Sequence, residues 1–355
     1  MNMSSRAARC FDFDRGLVVH DGESGRIWFL REEIAAAASG LSGADLVALL
    51  AEAPEADTPR VERIGQAWIP PTGQAPFLDL VLSGNGATPR VRVWNARLAG
   101  VLARMLAPLT VEGAPDGGPV IDLLTLGERS LVALDGRIVQ EGEGIGWWLL
   151  VRQLARSLNP GREWLGTLHA ATVAVPGGGA VAIAGVSGSG KTTLSGALLA
   201  RGAWLVSDDA TAIEAGTRFA WPCPLAMGVK EGSWPVFSAL FDDFLARTTP
   251  AGFGARAIRY YPAPRLARDR GFPVAALLFP TWTPGTQYRA ERLAPRETLA
   301  LLAESGMLPP GSDRHVAELL EWVRVLPAWR LVYSDHDAAV SFAWQLAASA
   351  PAAAS

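Results

Sequence analysis

The stretch Ala180-Val-Ala-Ile-Ala-Gly185-Val-Ser-Gly-Ser-Gly190-Lys-Thr-Thr193 decides how this chain of 355 residues is read. Ala180 to Ala184 is short, apolar and continuous, as in a strand buried on both faces. Glycines at 185, 188 and 190 then let successive backbone N–H groups turn inward. Thr192 to Arg201 follows as a helix, whose positive dipole end faces the loop. The spacing is Gly-x-x-x-x-Gly-Lys-[Ser/Thr], a Walker A pattern suited to the phosphates of a nucleoside triphosphate. Gly185, Ser187, Gly188, Ser189, Gly190, Lys191, Thr192 and Thr193 are therefore the candidate nucleotide-binding residues, with the Thr192 hydroxyl placed for Mg²⁺. The bland alternative is an incidental glycine-rich turn, and the flanking strand and helix weigh against it.

Working outward, Leu168 to Val175 reads as a strand and Pro176-Gly-Gly-Gly179 as a turn. The strand that feeds the loop is then half of an antiparallel hairpin, whereas a Rossmann-like nucleotide fold opens with a parallel βαβ unit. On the other side Gly202 ends the helix, and Trp204 to Ser207 forms a strand that delivers Asp208-Asp209. Adjacent carboxylates at a strand end beside bound phosphates can divide the work. One holds Mg²⁺ while the other takes a proton from an attacking hydroxyl. The alternative is a turn or helix-cap pair. His169, ahead of the loop, is either a structural histidine or a partner of that pair.

Composition narrows the field. Lys191 and Lys230 are the only lysines among 32 basic residues. Where arginine has replaced lysine so widely, a retained lysine marks a place that needs a compact ammonium. Lys230 is therefore either a second phosphate or substrate contact or a surface lysine. Apolar residues make up 49% and the net charge is −3, which favours a folded protein without nucleic acid as its main partner. Cys10 and Cys223 form no spacing motif, no run of about 18 apolar residues suggests a membrane span, and Met1 to Arg9 lacks a secretory h-region. A cytoplasmic protein is expected. Arg256, Arg259, Arg265, Arg268 and Arg270, interleaved with Tyr260 and Tyr261, could clamp phosphates or a peptide carboxylate or be a solvated loop, with Arg256 and Arg259 the candidates.

Before the loop, a hairpin is expected at 16–20 and 25–30, helices at 31–38 and 43–53 with Ser42 as N-cap, and a link at 53–58. Strands at 77–83, 90–94, 131–134 and 137–140 and helices at 96–106 and 145–158 follow, with a link at 112–118. Helices at 296–305 and 313–324 come late, and a fraying tail closes the chain.

Three features together resemble the catalytic domain of the HPr kinase/phosphorylase family: Leu168-His169-Ala170, the loop at 185–193, and Arg201-Gly202 leading to Asp208-Asp209. Phosphoenolpyruvate carboxykinase shares that core. Gly228-Val-Lys230-Glu-Gly-Ser233 and Phe279-Pro-Thr-Trp-Thr-Pro-Gly285 are similar to landmarks of the subgroup found with peptide-modification genes, including lasso-peptide tailoring kinases. The resemblance implies Asp209 as general base, Asp208 as metal ligand, His169 tuning the pair, and Lys230 reaching the phosphate side. Thr193 departs from the acid usual in HPr kinases, and the later segment associated with the phosphorylase reaction is absent. The first residues are similar in outline to PqqD-like modules that hold leader peptides by strand addition; the other reading is an accessory region supporting a homo-oligomer.

The expected architecture is α/β, a P-loop kinase core with a mixed sheet preceded by a smaller α+β region. Its parts are a hairpin-helix module at 1–55, an accessory region at 56–160, the catalytic domain at 161–345 and a tail at 346–355. The expected activity is transfer of the γ-phosphoryl group of ATP, with Mg²⁺, to a serine of a peptide or small protein. A small-molecule kinase, a carboxykinase-like enzyme and a nucleotide-responsive peptide scaffold are the alternatives.

Overall fold

The computed structural model describes residues 8–13, 16–21, 27–31, 35–36, 41–51, 64–113, 117–143, 146–253, 256–305 and 312–350. Most of the expected helix 31–38, the link 53–58 and residues 114–116 of the link 112–118 lie outside them. The chain is mixed α/β with several sheets, and among the described residues no helix is long and apolar enough to cross a membrane.

The chain begins with an antiparallel three-stranded sheet of β1 (Arg9–Asp12), β2 (Gly16–His20) and β3 (Ile27–Arg31), followed by α1 (Gly43–Ala51). Ser42 caps α1 reciprocally with Asp45: each side chain binds the other's backbone N–H at 3.2 Å. This module is docked. Phe13 and Val18 enter the core under the large sheet described below, and Asp313 receives both Arg9 and His20 at 2.7 Å.

The accessory region is a mixed five-stranded sheet, β4 (Leu78–Val81), β5 (Arg90–Val93), β6 (Val120–Leu126), β7 (Arg129–Leu134) and β8 (Arg137–Glu143), in chain order. Only β5 and β6 run parallel, and the crossover between them carries α2 (Ala96–Leu106). Asn95 caps α2 through its side chain, and the apolar stripe Leu98, Val101, Leu102, Met105 and Leu106 is buried. Then α3 (Trp147–Ser157) packs Leu150, Val151 and Leu154 into the same core.

Nine strands form the central sheet. In chain order they are β9 (Trp164–Leu168), β10 (Ala170–Ala174), β11 (Ala180–Ala184), β12 (Trp204–Ser207), β13 (Thr211–Glu214), β14 (Phe219–Trp221), then β18 (Phe272–Trp282), β19 (Arg289–Arg292) and β20 (Ala328–Tyr333). The order across the sheet is β12-β10-β11-β18-β14-β13-β9, with β20 also on β18 and β19 on β20. β10 and β11 are antiparallel as expected, whereas β11–β18 and β18–β20 are parallel. The single strand expected at 168–175 is two strands separated at His169, because β9 pairs with β13 while β10 pairs with β11 and β12.

Between β14 and β18 the chain adds a small antiparallel sheet, β15 (Met227–Lys230), β16 (Pro250–Phe253) and β17 (Arg256–Tyr261). Around these strands lie α4 (Lys191–Ala200), α5 (Trp234–Leu240), α6 (Phe244–Arg247), α7 (Pro295–Glu304), α8 (Asp313–Val325) and α9 (His336–Ser349). The tail expected from 346 starts later, since α9 runs to Ser349. Ala347 is fully buried and its carbonyl accepts the Gly179 N–H at 2.9 Å.

α4 approaches the small sheet through Gly196, which lies on the fully buried ring of Phe237. A Cβ there would stand 2.6 Å from one Phe237 ring carbon and 3.0 Å from another. Phe244 and Tyr261 hold that ring from the far side, at centroid distances of 5.4 and 6.1 Å. Gly196→Ala is therefore expected to lower stability by about 1–3 kcal/mol through overpacking, despite a helix-propensity gain of roughly 1 kcal/mol. Urea unfolding of the two proteins measures the difference.

Candidate functional site

β11 ends abruptly. All five of its residues are buried, and Gly185 then turns the chain with φ +135°, followed by Gly188 at +93° and Gly190 at +105°. Gly190 needs its missing side chain as well as its φ, since a Cβ would meet the Tyr333 hydroxyl at 3.0 Å and Trp282 Cβ at 3.4 Å. Trp282 anchors the loop further by donating its backbone N–H to the Ser189 carbonyl at 3.1 Å. The N-terminus of α4 has no side-chain cap, so its first-turn N–H groups remain available to an anion. The Lys191 ammonium folds back onto its own loop, donating to the carbonyls of Gly185 at 2.6 Å and Val186 at 3.2 Å.

Across from the loop, β12 delivers the two aspartates. Asp208 is buried and accepts the Gly228 N–H at 3.0 Å, while Asp209 is partly exposed. His169, at the bend between β9 and β10, places Nε2 4.0 Å from Asp209 Oδ1, and its ring packs on Trp148 at a centroid distance of 4.9 Å. Lys230 ends β15 and donates to Ser187 Oγ at 2.5 Å, which spans the mouth of the site from the small sheet to the loop.

These groups surround a cavity of about 600 Å³, within the usual range of roughly 300–1,000 Å³ for small-molecule sites. Ser187, Gly188, Gly190, Lys191, Thr192, Thr193, Asp209, His169 and Lys230 all line it. Gly185, Ser189 and Asp208 stand behind that surface. Thr193 also shares a hydrogen bond with Ser233 at 2.9 Å. The arginines do not join them. Arg259 donates to the carbonyl of Thr248 at 2.5 Å and lies over the Trp234 ring, bracing the small sheet. Arg256 begins β17, and Arg268 donates to the Pro108 carbonyl. A guanidinium on a sheet surrounded by aromatic rings finds partners there, so spacing along the chain did not translate into convergence.

Several lining residues were not foreseen: Val101, Met105, Trp147, Tyr260, Trp282 and His336. Trp282 and Tyr260 stood inside quoted segments without a role. The others come from elements distant in sequence, α2, α3 and α9, and carried no local signal.

Electrostatics follow from burial. Asp208 is pushed up to about 8 by burial and then by the Asp209 charge, against the Gly228 hydrogen bond and the two lysines. Asp209 is raised by burial, with His169, Lys191 and Lys230 opposing. Burial lowers both Lys191 and His169, and Asp209 opposes each shift. Among the described residues no group of three or more His, Cys, Asp or Glu side chains gathers to hold a metal ion. Mg²⁺ commonly takes only one or two carboxylates beside phosphate oxygens and waters. Thr192 and the aspartate pair fit that smaller donor set.

A scan against protein-family models matches none to this chain, and a search of the curated proteins finds no similar one.

The raised aspartate has a consequence for stability. A carboxyl that titrates near 8 when folded, against 3.8 ordinarily, keeps a proton that the unfolded chain has already released. Stability must then fall as pH rises between those values. Asp208→Asn removes this penalty, and its amide oxygen can still accept the Gly228 N–H. With nucleotide and metal removed, the variant is expected to melt about 2 °C or more above the parent at pH 8, with the gap closing toward pH 4. Thermal unfolding at the two pH values checks both the sign and the window.

Proposed function

We propose that this chain is an HPr-kinase-like phosphotransferase that moves the γ-phosphoryl group of ATP, with Mg²⁺, to a serine hydroxyl of a peptide or small protein. One observation carries the proposal: Asp209, Lys191, Lys230, Thr192 and His169 line one cavity at the end of a buried strand, loop and helix. A generic nucleotide-binding fold has no need of a second lysine and a carboxylate–histidine pair facing the loop.

The residues divide the work by position. The loop N–H groups and the α4 N-terminus hold phosphate oxygens, and the Lys191 ammonium exchanges its two loop carbonyls for them. Lys230 approaches from the opposite wall and is tied to Ser187. Thr192 and Asp208 would hold Mg²⁺, which when bound supplies charge neutralisation at the phosphates. Asp209, the aspartate on the cavity wall, orients the acceptor hydroxyl and takes its proton as the new O–P bond forms and the bond to the β-phosphate oxygen breaks. Burial strengthens this base, since it raises the proton affinity of Asp209. His169 keeps that carboxylate in place from 4.0 Å. Trp282 and His336, at the Gly190 end, offer rings for the nucleobase.

The test is γ-labelled ATP with serine-containing peptides. Label is expected on the peptide serine, reduced at least about 100-fold in Asp209→Asn. Tight ATP binding without transfer to any acceptor would favour a scaffold, and label on a metabolite would sink the peptide acceptor. Lys230→Ala is expected to cut turnover by roughly 10- to 100-fold with an unchanged unfolding midpoint. Unimpaired turnover would return Lys230 to the status of a surface residue.

A further inference from the structure

The cavity has two unlike ends. At one, Trp282 and Tyr333 stand beside Gly190, and His336 packs on the Tyr333 ring at a centroid distance of 5.6 Å. At the other, the aspartates meet carbon. Gly228, whose N–H holds Asp208, faces β17, where a Cβ would make ordinary contact at 3.8 Å with both Ile258 Cγ2 and Tyr260 Cε1. Tyr260 and Trp147 in turn pack on the accessory core that contains Val101 and Met105. The end of α2 is tied to this place by a hydrogen bond from the Ala226 N–H to the Met105 carbonyl at 2.9 Å, just ahead of β15. All four of these side chains line the cavity.

We propose that the acceptor carries a bulky apolar group beside its hydroxyl, and that this group seats on the wall formed by Val101, Met105, Trp147 and Tyr260. The accessory region then selects the acceptor while the central sheet performs the transfer. This rests on the phosphotransfer function proposed above. Val101 offers no hydrogen-bonding group and Met105 only a weakly accepting thioether, so a sugar or polyol would leave hydroxyls poorly partnered against them. A leucine or phenylalanine next to a serine loses nothing there and removes apolar surface from water. The wall's nearness to Gly228 and the aspartates, at the end away from Gly190, assigns it to the acceptor rather than the nucleobase.

Two peptides of equal length and charge decide the matter, each with one serine, flanked by leucine and phenylalanine in the first and by asparagine and glycine in the second. With γ-labelled ATP the parent protein is expected to favour the first by about 10- to 100-fold in kcat/KM, expressed mainly in KM. Trp147→Ser should bring that ratio toward one while the Kd for ATP, measured by calorimetry, stays unchanged and shows that the fold is intact. Val101→Thr, which keeps the side-chain shape and adds a hydroxyl, should shift the ratio in the same direction by less. Equal use of both peptides by the parent overturns the proposal. So does a Trp147→Ser protein with weakened ATP binding and intact selectivity, which would put the nucleobase on this wall. If the parent labels neither peptide, the phosphotransfer function itself falls, a result distinct from equal labelling.

Discussion

Two carboxylates adjacent in the chain, at the end of a strand, constrain everything around them. Asp208 is almost wholly buried and has the Gly228 N–H as a partner. Asp209 beside it adds like charge. Neither arrangement is favourable in a protein without ligands, because burial and repulsion both work against ionisation. Two ammonium groups nearby offset part of that cost, and a histidine stands beside the exposed member. Cation binding at the cavity would relieve the same strain. A site destabilised in isolation and stabilised by what it binds is a common way for proteins to hold function at a cost in stability.

The geometry of that pair rests on a buried cluster of hydroxyls directly beneath it. Thr211 Oγ1 donates to the Ala170 carbonyl at 3.1 Å. With its one hydrogen so engaged, it accepts from Thr172 at 2.7 Å and Ser207 at 2.5 Å. Three strands are thereby joined around one oxygen atom. Thr211 also pairs through its backbone with Leu168, on the other side of His169. A single residue thus fixes the chain both before and after the bend, and the bend is what turns His169 toward Asp209. A fully satisfied polar cluster of this kind specifies one arrangement where an apolar one would permit several.

Local order was legible along the chain and long-range assembly was not. The strand, loop and helix from Ala180 to Ala200, the cap at Ser42 and the helix Ala96–Leu106 all follow from short-range rules of spacing, capping and glycine conformation. The break at His169 was hidden because β9 and β10 have the same apolar character, and only their different partners separate them. β6 was missed because Val120–Leu126 is apolar and mostly buried without clean alternation. The end of α9, from 346 on, was read as tail because an alanine-rich segment has low complexity, yet small side chains are what let it lie against α4 and the sheet. The loop residues that line the cavity were legible since the glycine and turn pattern of a loop is local. The walls contributed by α2 and α3 were not, because nothing in a sequence says which distant helix will roof a cavity.

That last point bears on why the accessory region and the central sheet are built as one body. The core of α2, α3 and the five-stranded sheet also takes in Ala210, Ala212, Cys223 and Leu225. Ala210 directly follows Asp209, and Ala212 lies on the strand that carries Thr211. The backbone presenting the carboxylates is therefore clamped between two cores: the accessory core holds the residue after them, and the central sheet holds β12 before them. A shift of the accessory region would move Asp209 and the Val101–Met105 wall together. If the proposed acceptor seats on that wall, this coupling would let contact with one report on the position of the other. The proposed transfer would need such rigidity, because a displacement of about 1 Å can cost an enzyme roughly 100-fold in rate.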